Sequence, residues 1–137
     1  MTDWEQAISA LPGHTLALCR DGRLILETAQ GVRPMAELLS SGADLRGYSA
    51  ADRVVGRAAA MLFLHAGVRA VYGDTMSEGA LALLTAHGVE TRYDRLTAGI
   101  RNRTDTGPCP MEALVADTDD AAAGAARILA RVCPPQG

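Results

Sequence analysis

The sequence predicts an α/β fold, namely a three-layer α/β/α sandwich around a mixed sheet of about four or five strands. Two observations support this prediction. Asp21-Gly22 separates two strand-like runs and is a strong signal for an antiparallel hairpin. Two successive helix-to-strand units with short loops then follow, and such units favour parallel pairing. A length of 137 residues is expected to form one domain, residues 1–137, with its own core.

The first third of the chain divides clearly into short elements. Residues 1–13 form an N-terminal helical segment in which Thr2 or Asp3 caps the helix and Pro12-Gly13 ends it. Pro34 and Gly42 bracket a later helix, in keeping with the preference for proline inside the start and glycine after the end. The elements expected here are a helix over 2–11, strands over 14–20 and 23–28, and a helix over 34–41.

Residues 47–67 are predicted to contain the central helix, running from Ser49 to Ala66. Ser49 and Asp52 have the spacing of a capping box, and Gly67 suits a helix end. The residues between them are mostly small or apolar, which predicts a helix buried on most sides. The remaining elements are expected to be a strand over 68–72, a turn over 74–77, a helix over 78–87, a strand over 89–93, a polar loop to 108, helices starting at 110 and 119, and a tail over 134–137.

Composition excludes several classes of function. A net charge of −3 and an aromatic content of 4% give no basis for binding a nucleic-acid polymer or a membrane surface. No apolar segment reaches the roughly 18 residues that a membrane span needs, and no signal peptide is evident, so a cytoplasmic location is expected. The cysteines and histidines lack the spacing of a disulfide framework or a zinc site, so neither a metal nor another cofactor is expected.

Cys109 is the first candidate for chemistry. If Pro110 begins a helix, the Cys109 sulfur faces the free amides of its first turn, which favour a thiolate, as would a nearby Arg101 or Arg103. Glu112 would then lie in that turn, reaching back to the cap or acting as a general base. The simpler alternative is a partly buried cysteine that happens to precede a helix.

Asp52, Arg53, Gly56 and Arg57 form the second candidate. On the predicted helix the two arginines share a face, and a glycine inside a helix suggests a close approach of backbone or ligand. Arginines near a helix start suit an anion. In the alternative, Asp52 only caps the helix and the arginines face solvent.

Two weaker candidates remain. Asn102, Arg103 and Thr104 belong to a polar loop of roughly fifteen residues, a length that more often marks function than simple connection. The loop could hold a phosphate or a ribose, although it lacks the pattern of a P-loop. Ser77 precedes a predicted helix and would lie beyond the carboxyl end of a strand, where ligands bind in open α/β sheets. A helix cap is the favoured reading of Ser77.

The runs S-A-A-D-R-V-V-G-R-A-A-A and N-R-T-D-T-G-P-C-P-M-E resemble the two signature stretches of a small bacterial and archaeal family. That family is known as a domain of unknown function and is grouped with the cytidine-deaminase-like fold. The resemblance is clearest over residues 16–114. It implies a helix over 49–66 in place of the zinc-ligating helix of true deaminases, and a pocket lined by Ser49, Asp52, Arg53, Ser77 and the Cys109 loop.

The chain departs from true deaminases at the chemistry. Zinc deaminases need His/Cys-x-Glu on one helix and Pro-Cys-x-x-Cys at the start of the next. Here those places hold residues 52–54, Asp-Arg-Val, and 76–78, Met-Ser-Glu, so zinc-dependent deamination is not expected. The family favours lysine where this chain has Arg53 and Arg57, which implies that a positive charge is wanted there.

The leading hypothesis is a deaminase-like domain that binds a small polar, nucleotide-like metabolite and carries a zinc-independent activity at Cys109. In it, Asp52 or Glu112 is the acid/base and Arg53 with Arg103 holds an anion. The first rival is a non-catalytic ligand-binding or regulatory domain that lost the reaction. The second is a sulfur-transfer protein with Cys109 as the carrier. A small-molecule ligand is thus the expected partner, and homo-oligomerisation is left open.

Overall fold

The computed structural model describes residues 1–101 and 109–134. Within these ranges the chain alternates helices and strands in the general order that the sequence predicts. The helices are α1 (Asp3–Ala10), α2 (Arg33–Ser40), α3 (Arg57–Ala66), α4 (Glu78–Ala86), α5 (Pro110–Leu114) and α6 (Ala121–Val132). The strands are β1 (Leu16–Arg20), β2 (Arg23–Glu27), β3 (Ser49–Val55), β4 (Ala70–Ser77) and β5 (Glu90–Thr97).

The five strands form one mixed sheet in the order β2-β1-β3-β4-β5. Strand β1 runs antiparallel to both β2 and β3, whereas β3, β4 and β5 run parallel to one another. The prediction of a mixed sheet with an antiparallel hairpin and parallel helix–strand units is therefore confirmed. Strands β2 and β5 are the two edges.

The hairpin between β1 and β2 turns as the sequence predicts. Asp21 and Gly22 both have positive φ, at 51° and 78°, and Arg20 pairs with Arg23 to close the turn. Two central residues in this left-handed region match the right-handed twist of the flanking strands. Glycine adopts that conformation without strain, and aspartate is among the few other residues that tolerate it.

The predicted helix from Ser49 to Ala66 is wrong in its first half. Ser49–Val55 is the central strand β3, and helix α3 begins only at Arg57. Gly56 separates them with extended backbone angles, φ −96° and ψ −176°. The Ser49–Asp52 capping box therefore does not form, because both residues pair with neighbouring strands.

Strand β3 is built from small residues because helices cover it on both faces. Ala50 belongs to the large core cluster that contains α3 and parts of α2, α4 and α6. Ala51 belongs to a smaller cluster with Ala7 and Leu11 at the α1 side. Alternate side chains of a strand point to opposite faces, so α1 covers one face and the other helices cover the second.

Two strands extend further than predicted. Residues 74–77 were expected to form a turn, and 94–97 to open a polar loop, yet both segments continue the parallel ladder of β4 and β5. Backbone pairing, such as Thr75 with Arg95, holds these polar residues in strands despite their weak strand preference. As a result, polar side chains are presented along the carboxyl-terminal ends of the strands.

Candidate functional site

A cavity of about 630 Å³ opens beside the carboxyl-terminal half of β3. Its wall combines the approach to β1, the loop after β2, strand β3, the segment after β5 and the start of α5. Because these parts are far apart in sequence, only the folded sheet brings them together. The lining residues are Thr15, Gln30, Gly31, Asp52, Arg53, Val54, Ile100, Arg101, Cys109 and Pro110.

Asp52 is the buried charge of this cavity. It lies in the middle of the sheet, paired with Leu16 and Gly73, and is 9% exposed. The N–H of Val54 donates one long hydrogen bond of 3.5 Å to its Oδ1. Burial raises the pKa of Asp52 to about 7, the nearby backbone N–H groups lower it only in part, and the charge of Asp74 adds to the rise.

Arg53 places a cation at the mouth of the cavity. Its Nε donates to the carbonyl of His14 at 2.9 Å, and its Nη1 lies 3.3 Å from the carboxylate of Asp74. Asp74 in turn accepts the hydroxyl of Tyr72 at 2.9 Å. Burial and this hydrogen bond raise the pKa of Tyr72. Since Arg53 is exposed, its guanidinium remains in contact with solvent at the cavity.

Cys109 lines the same cavity as Asp52 and precedes α5, as the sequence predicts. Its N–H donates to the carbonyl of Ile100 at 3.0 Å, which ties the start of α5 to the segment after β5. The helix behind the sulfur is short. Helix α5 has five residues, so few peptide dipoles align behind the sulfur, and the cysteine side chain makes no capping hydrogen bond.

Glu112 caps a different helix from the one that the sequence suggests. Instead of reaching back to its own helix, its carboxylate crosses to α3 and accepts the N–H groups of Arg57 at 2.7 Å and Ala58 at 2.6 Å. Helix α3 receives no side-chain cap from Gly56, so Glu112 caps it from outside. Gly56 makes this possible, because a Cβ there would overlap Oε1 of Glu112 and lie 2.7 Å from Cγ1 of Ile100.

Arg57 also serves the packing of α5 and α6 in this structure. Its guanidinium donates to the carbonyls of Val115 and Thr118 and pairs with Asp119. These partners lie at the end of α5 and in the connection to α6, where a cation compensates free carbonyl groups. The predicted pairing of Arg53 and Arg57 on one helical face does not occur, because the first is on β3 and the second on α3.

The two predicted serines do not join Asp52 in the cavity. Ser49 starts β3 and lines a separate depression of about 220 Å³ with Trp4 and Arg69. A strand advances about 3.3 Å per residue, so Ser49 lies well away from the carboxyl end that Asp52 approaches. Ser77 is buried as the cap of α4, and its Oγ accepts the Ala80 N–H at 3.0 Å. The reading of Ser77 as a helix cap is confirmed.

Some predicted ligand-binding residues cannot be placed, and other lining residues were not predicted. Asn102, Arg103 and Thr104 lie outside the described residues. Thr15 and Gln30 reach the cavity although the sequence marks them only as positions near strand ends. Their contribution depends on the pairing of β1 between β2 and β3, which no local pattern reveals.

The residues at the helix starts do not offer a metal site. In the ranges 1–101 and 109–134, no group of three His, Cys, Asp or Glu side chains could hold a metal ion. At the start of α3 the amides of Arg57 and Ala58 are bonded to Glu112, and at the start of α4 Ser77 bonds to its own helix.

Among the described helices, none is long and apolar enough to cross a membrane.

Fold and cavity together define a small α/β protein with a mixed five-stranded sheet and a cavity lined by an acid, a thiol and a cation. The family model "TM1506: Domain of unknown function (DUF1893)" matches residues 10–130. The chain belongs to this family. The comparison with curated proteins gives no significant match.

A solved structure of the same family agrees with this assignment. A DUF1893 family protein from Thermotoga maritima is 25% identical, with a TM-score of 0.84 over 93% of this chain and 88% of that one. A deaminase/reductase of the same organism, which is named for diaminohydroxyphosphoribosylaminopyrimidine deamination, is 14% identical. Its TM-score is 0.46 over 66% of this chain and 34% of its own, so this partial likeness carries no argument about function.

Proposed function

We propose that this protein binds a small polar, nucleotide-like metabolite in the cavity at β3, with Asp52 as the residue that recognises it. The observation that carries the proposal is a carboxyl group 9% exposed that lines a cavity of about 630 Å³ and has one long hydrogen bond. Buried polar groups are normally well hydrogen-bonded. A ligand that donates to Asp52 would add strong hydrogen bonds where the protein itself supplies only a long one.

The chemistry of Asp52 favours a ligand with two adjacent polar groups, at least one of which is a donor. Near neutral pH its carboxyl group can be ionised, with two acceptor oxygens, or protonated, with one donor and one acceptor. Edges with two donors, such as amidinium, match the ionised form, and edges with one donor and one acceptor, such as amides and aminopyrimidines, match the protonated form. Nucleobases present such edges, and the apolar side chains of Val54 and Ile100 offer surface for a ring.

Arg53 extends the proposal from a base to a nucleotide. It lies next to Asp52 in sequence, lines the same cavity and is exposed at its mouth. A phosphate or carboxylate on the ligand could accept a charge-assisted hydrogen bond there, in competition with Asp74. The suggested relation to the cytidine-deaminase-like fold belongs to this proposal and is supported by the two signature stretches of the sequence.

A ligand panel tests the proposal. Thermal shift and calorimetry are run with cytidine, adenosine, guanosine, their 5′-monophosphates, uracil and benzamidine. Wild type and Asp94→Asn, a charge loss at an exposed site outside the cavity lining, should bind the same member of the panel. Asp52→Ala should lose that binding by at least about tenfold, the loss typical of a charged hydrogen bond. Equal binding by Asp52→Ala would contradict the proposal, as would a panel in which nothing binds.

The position of Cys109 supports a second candidate, a cysteine-based reaction on the bound ligand. Cys109 and Asp52 line one cavity, so a ligand held by the acid can meet the thiol. In such a reaction the thiol proton passes to ionised Asp52, and Sγ forms a bond with an electrophilic carbon of the ligand. Protonated Asp52 then returns the proton to the group that leaves that carbon.

Alkylation separates the two candidates. With Cys19→Ser and Cys133→Ser as the background, iodoacetamide should label Cys109 faster than it labels free cysteine at pH 7, and Asp52→Asn should slow the labelling. A rate no faster than that of free cysteine would remove the reaction. Ligand binding that survives Cys109→Ser, without turnover of any panel member, would leave the binding function alone.

A further inference from the structure

Strand β2 leaves one side of its backbone without a partner. It is an edge of the sheet and pairs only with β1 among the described strands. Arg20 and Arg23 close a two-residue turn, and the ladder alternates from that pair. The N–H and C=O groups of residues 23, 25 and 27 therefore point to β1, and those of Leu24 and Leu26 point away from the sheet.

The sequence of β2 is complementary to itself when it is reversed. It reads R-L-I-L-E from Arg23 to Glu27. If two copies pair antiparallel about a two-fold axis at Ile25, each Arg23 faces Glu27 of the other copy and each Leu24 faces Leu26. In this register the outward backbone groups of Leu24 and Leu26 face each other, as an antiparallel ladder requires. Sequence and backbone thus select the same register.

The side chains of β2 also leave apolar surface uncovered. Leu24 is 44% exposed and Leu26 is 39% exposed. They pair with Cys19 and Ala17, whose side chains belong to the cluster beneath α1. Among the described helices, α1 is the one that covers that face, and neither leucine belongs to its cluster. Exposed leucines on a sheet edge are unusual, because edges normally carry charges that prevent pairing.

We propose that β2 is the interface of a homodimer in which two copies join their sheets edge to edge. Two Arg23–Glu27 ion pairs flank the two-fold axis, and four leucines from both copies pack together on the α1 face. The matched ends, Arg23 at one and Glu27 at the other, favour a second copy of this chain over an unrelated strand. Edge strand β5 is less suited, since Arg92, Asp94 and Arg95 stand at its middle.

Charge reversal tests the register as well as the interface. Sedimentation equilibrium should give twice the monomer mass for wild type. Arg23→Glu places like charges opposite each other at both ends and should weaken the dimer by about tenfold or more. Arg23→Glu combined with Glu27→Arg exchanges the pairs and should restore the dimer to within about threefold of wild type. Arg95→Glu, the same change on β5, is the control and should have no effect.

Two results would count against a dimer through β2. A wild type that stays monomeric up to about 500 μM, where even a millimolar association shows, would overturn the proposal. So would a dimer that ignores Arg23→Glu, because it would use another surface. Circular dichroism of each variant excludes unfolding, which is not expected because Glu at 23 would face Arg20 across the hairpin.

Discussion

Asp52 and Glu112 are both carboxylates near the start of α3, yet the fold treats them in opposite ways. Glu112 accepts two backbone N–H groups at 2.7 Å and 2.6 Å, so its charge is compensated by the helix that it caps. Asp52 is 9% exposed, accepts one hydrogen bond of 3.5 Å and faces a cavity. The first has the partners of a structural group, and the second lacks them.

This difference shows how a structural acid can be told from a candidate functional one. A carboxylate that accepts the free N–H groups of a helix start stabilises the fold, and its charge is already compensated by that helix. A carboxylate buried with few donors destabilises the fold in its charged form, and its oxygens remain available to a ligand.

Removing the Asp52 charge should give the largest effect. The folded protein keeps the Asp52 proton up to about pH 7, whereas the unfolded chain releases it near 3.8. The free energy of unfolding therefore falls as the pH rises between these values and levels off above them. Asn at 52 does not titrate, so urea unfolding should show Asp52→Asn gaining about 3 kcal/mol on wild type between pH 5 and pH 8.

The control for this prediction is Asp94→Asn, which removes a charge from an exposed position on β5. Its difference from wild type should stay within about 0.5 kcal/mol over the same pH range. Parallel curves for wild type and Asp52→Asn would show that Asp52 is solvated in the folded protein and would break the contrast with Glu112.

Removing the Glu112 carboxylate should lower the free energy of unfolding, whereas removing the Asp52 charge should raise it. Glu112→Ala leaves the amides of Arg57 and Ala58 without their acceptor, and Ala58 is buried. The expected loss is about 2 kcal/mol of unfolding free energy, the upper range for a helix cap. Glu78→Ala, at an exposed first-turn acid of α4, is the matched control and should cost less than about 0.5 kcal/mol. A similar cost at both positions would refute the cap.

The cost of adding a side chain at Gly56 should depend on Glu112. Alanine suits the extended backbone at this position, but its Cβ would displace the Glu112 carboxylate and press on Ile100. Gly56→Ala should therefore cost about 2 kcal/mol in wild type and about 1 kcal/mol or less after Glu112→Ala. A double-mutant cycle measures this coupling. Purely additive costs would mean that Glu112 and Gly56 act independently.

Arg53 should matter least for stability. Its pair with Asp74 spans 3.3 Å between side chains that are 46% and 37% exposed. Exposed pairs contribute little because water screens them, so Arg53→Gln should change the unfolding free energy by less than about 1 kcal/mol. A much larger loss would place Arg53 among the structural groups with Glu112 rather than at a ligand site.

The sequence predicts the elements of this fold best where their signals are local. Asp21-Gly22 marks the hairpin, and Gly67 and Gly88 mark helix ends that the structure confirms. The prediction for residues 49–55 is wrong because a strand buried on both faces and a buried helix both have sequences of mostly small apolar residues. The β-branched pair Val54-Val55 before Gly56 was the signal for a strand that ends there.

The candidate site is only partly predictable for a related reason. Asp52, Arg53 and Cys109 stand out as polar or reactive residues in apolar or loop surroundings, and the fold brings them to one cavity. The role of Glu112 depends on a contact between α5 and α3. The bonded residues are 54 and 55 positions apart in the sequence, so no local spacing rule predicts the contact. Thr15 and Gln30 depend in the same way on strand order.

The most direct test of the account is a carboxyl carbon-13 NMR titration of Asp52, assigned with Asp52→Asn. Burial beside the cavity predicts a midpoint near the pKa of about 7, and a shift of that resonance when a ligand from the panel binds. A midpoint at the ordinary aspartate value of 3.8, unchanged by every ligand, would contradict it. Asp52 would then be a solvated strand residue, and the cavity would have no acid to recognise a ligand.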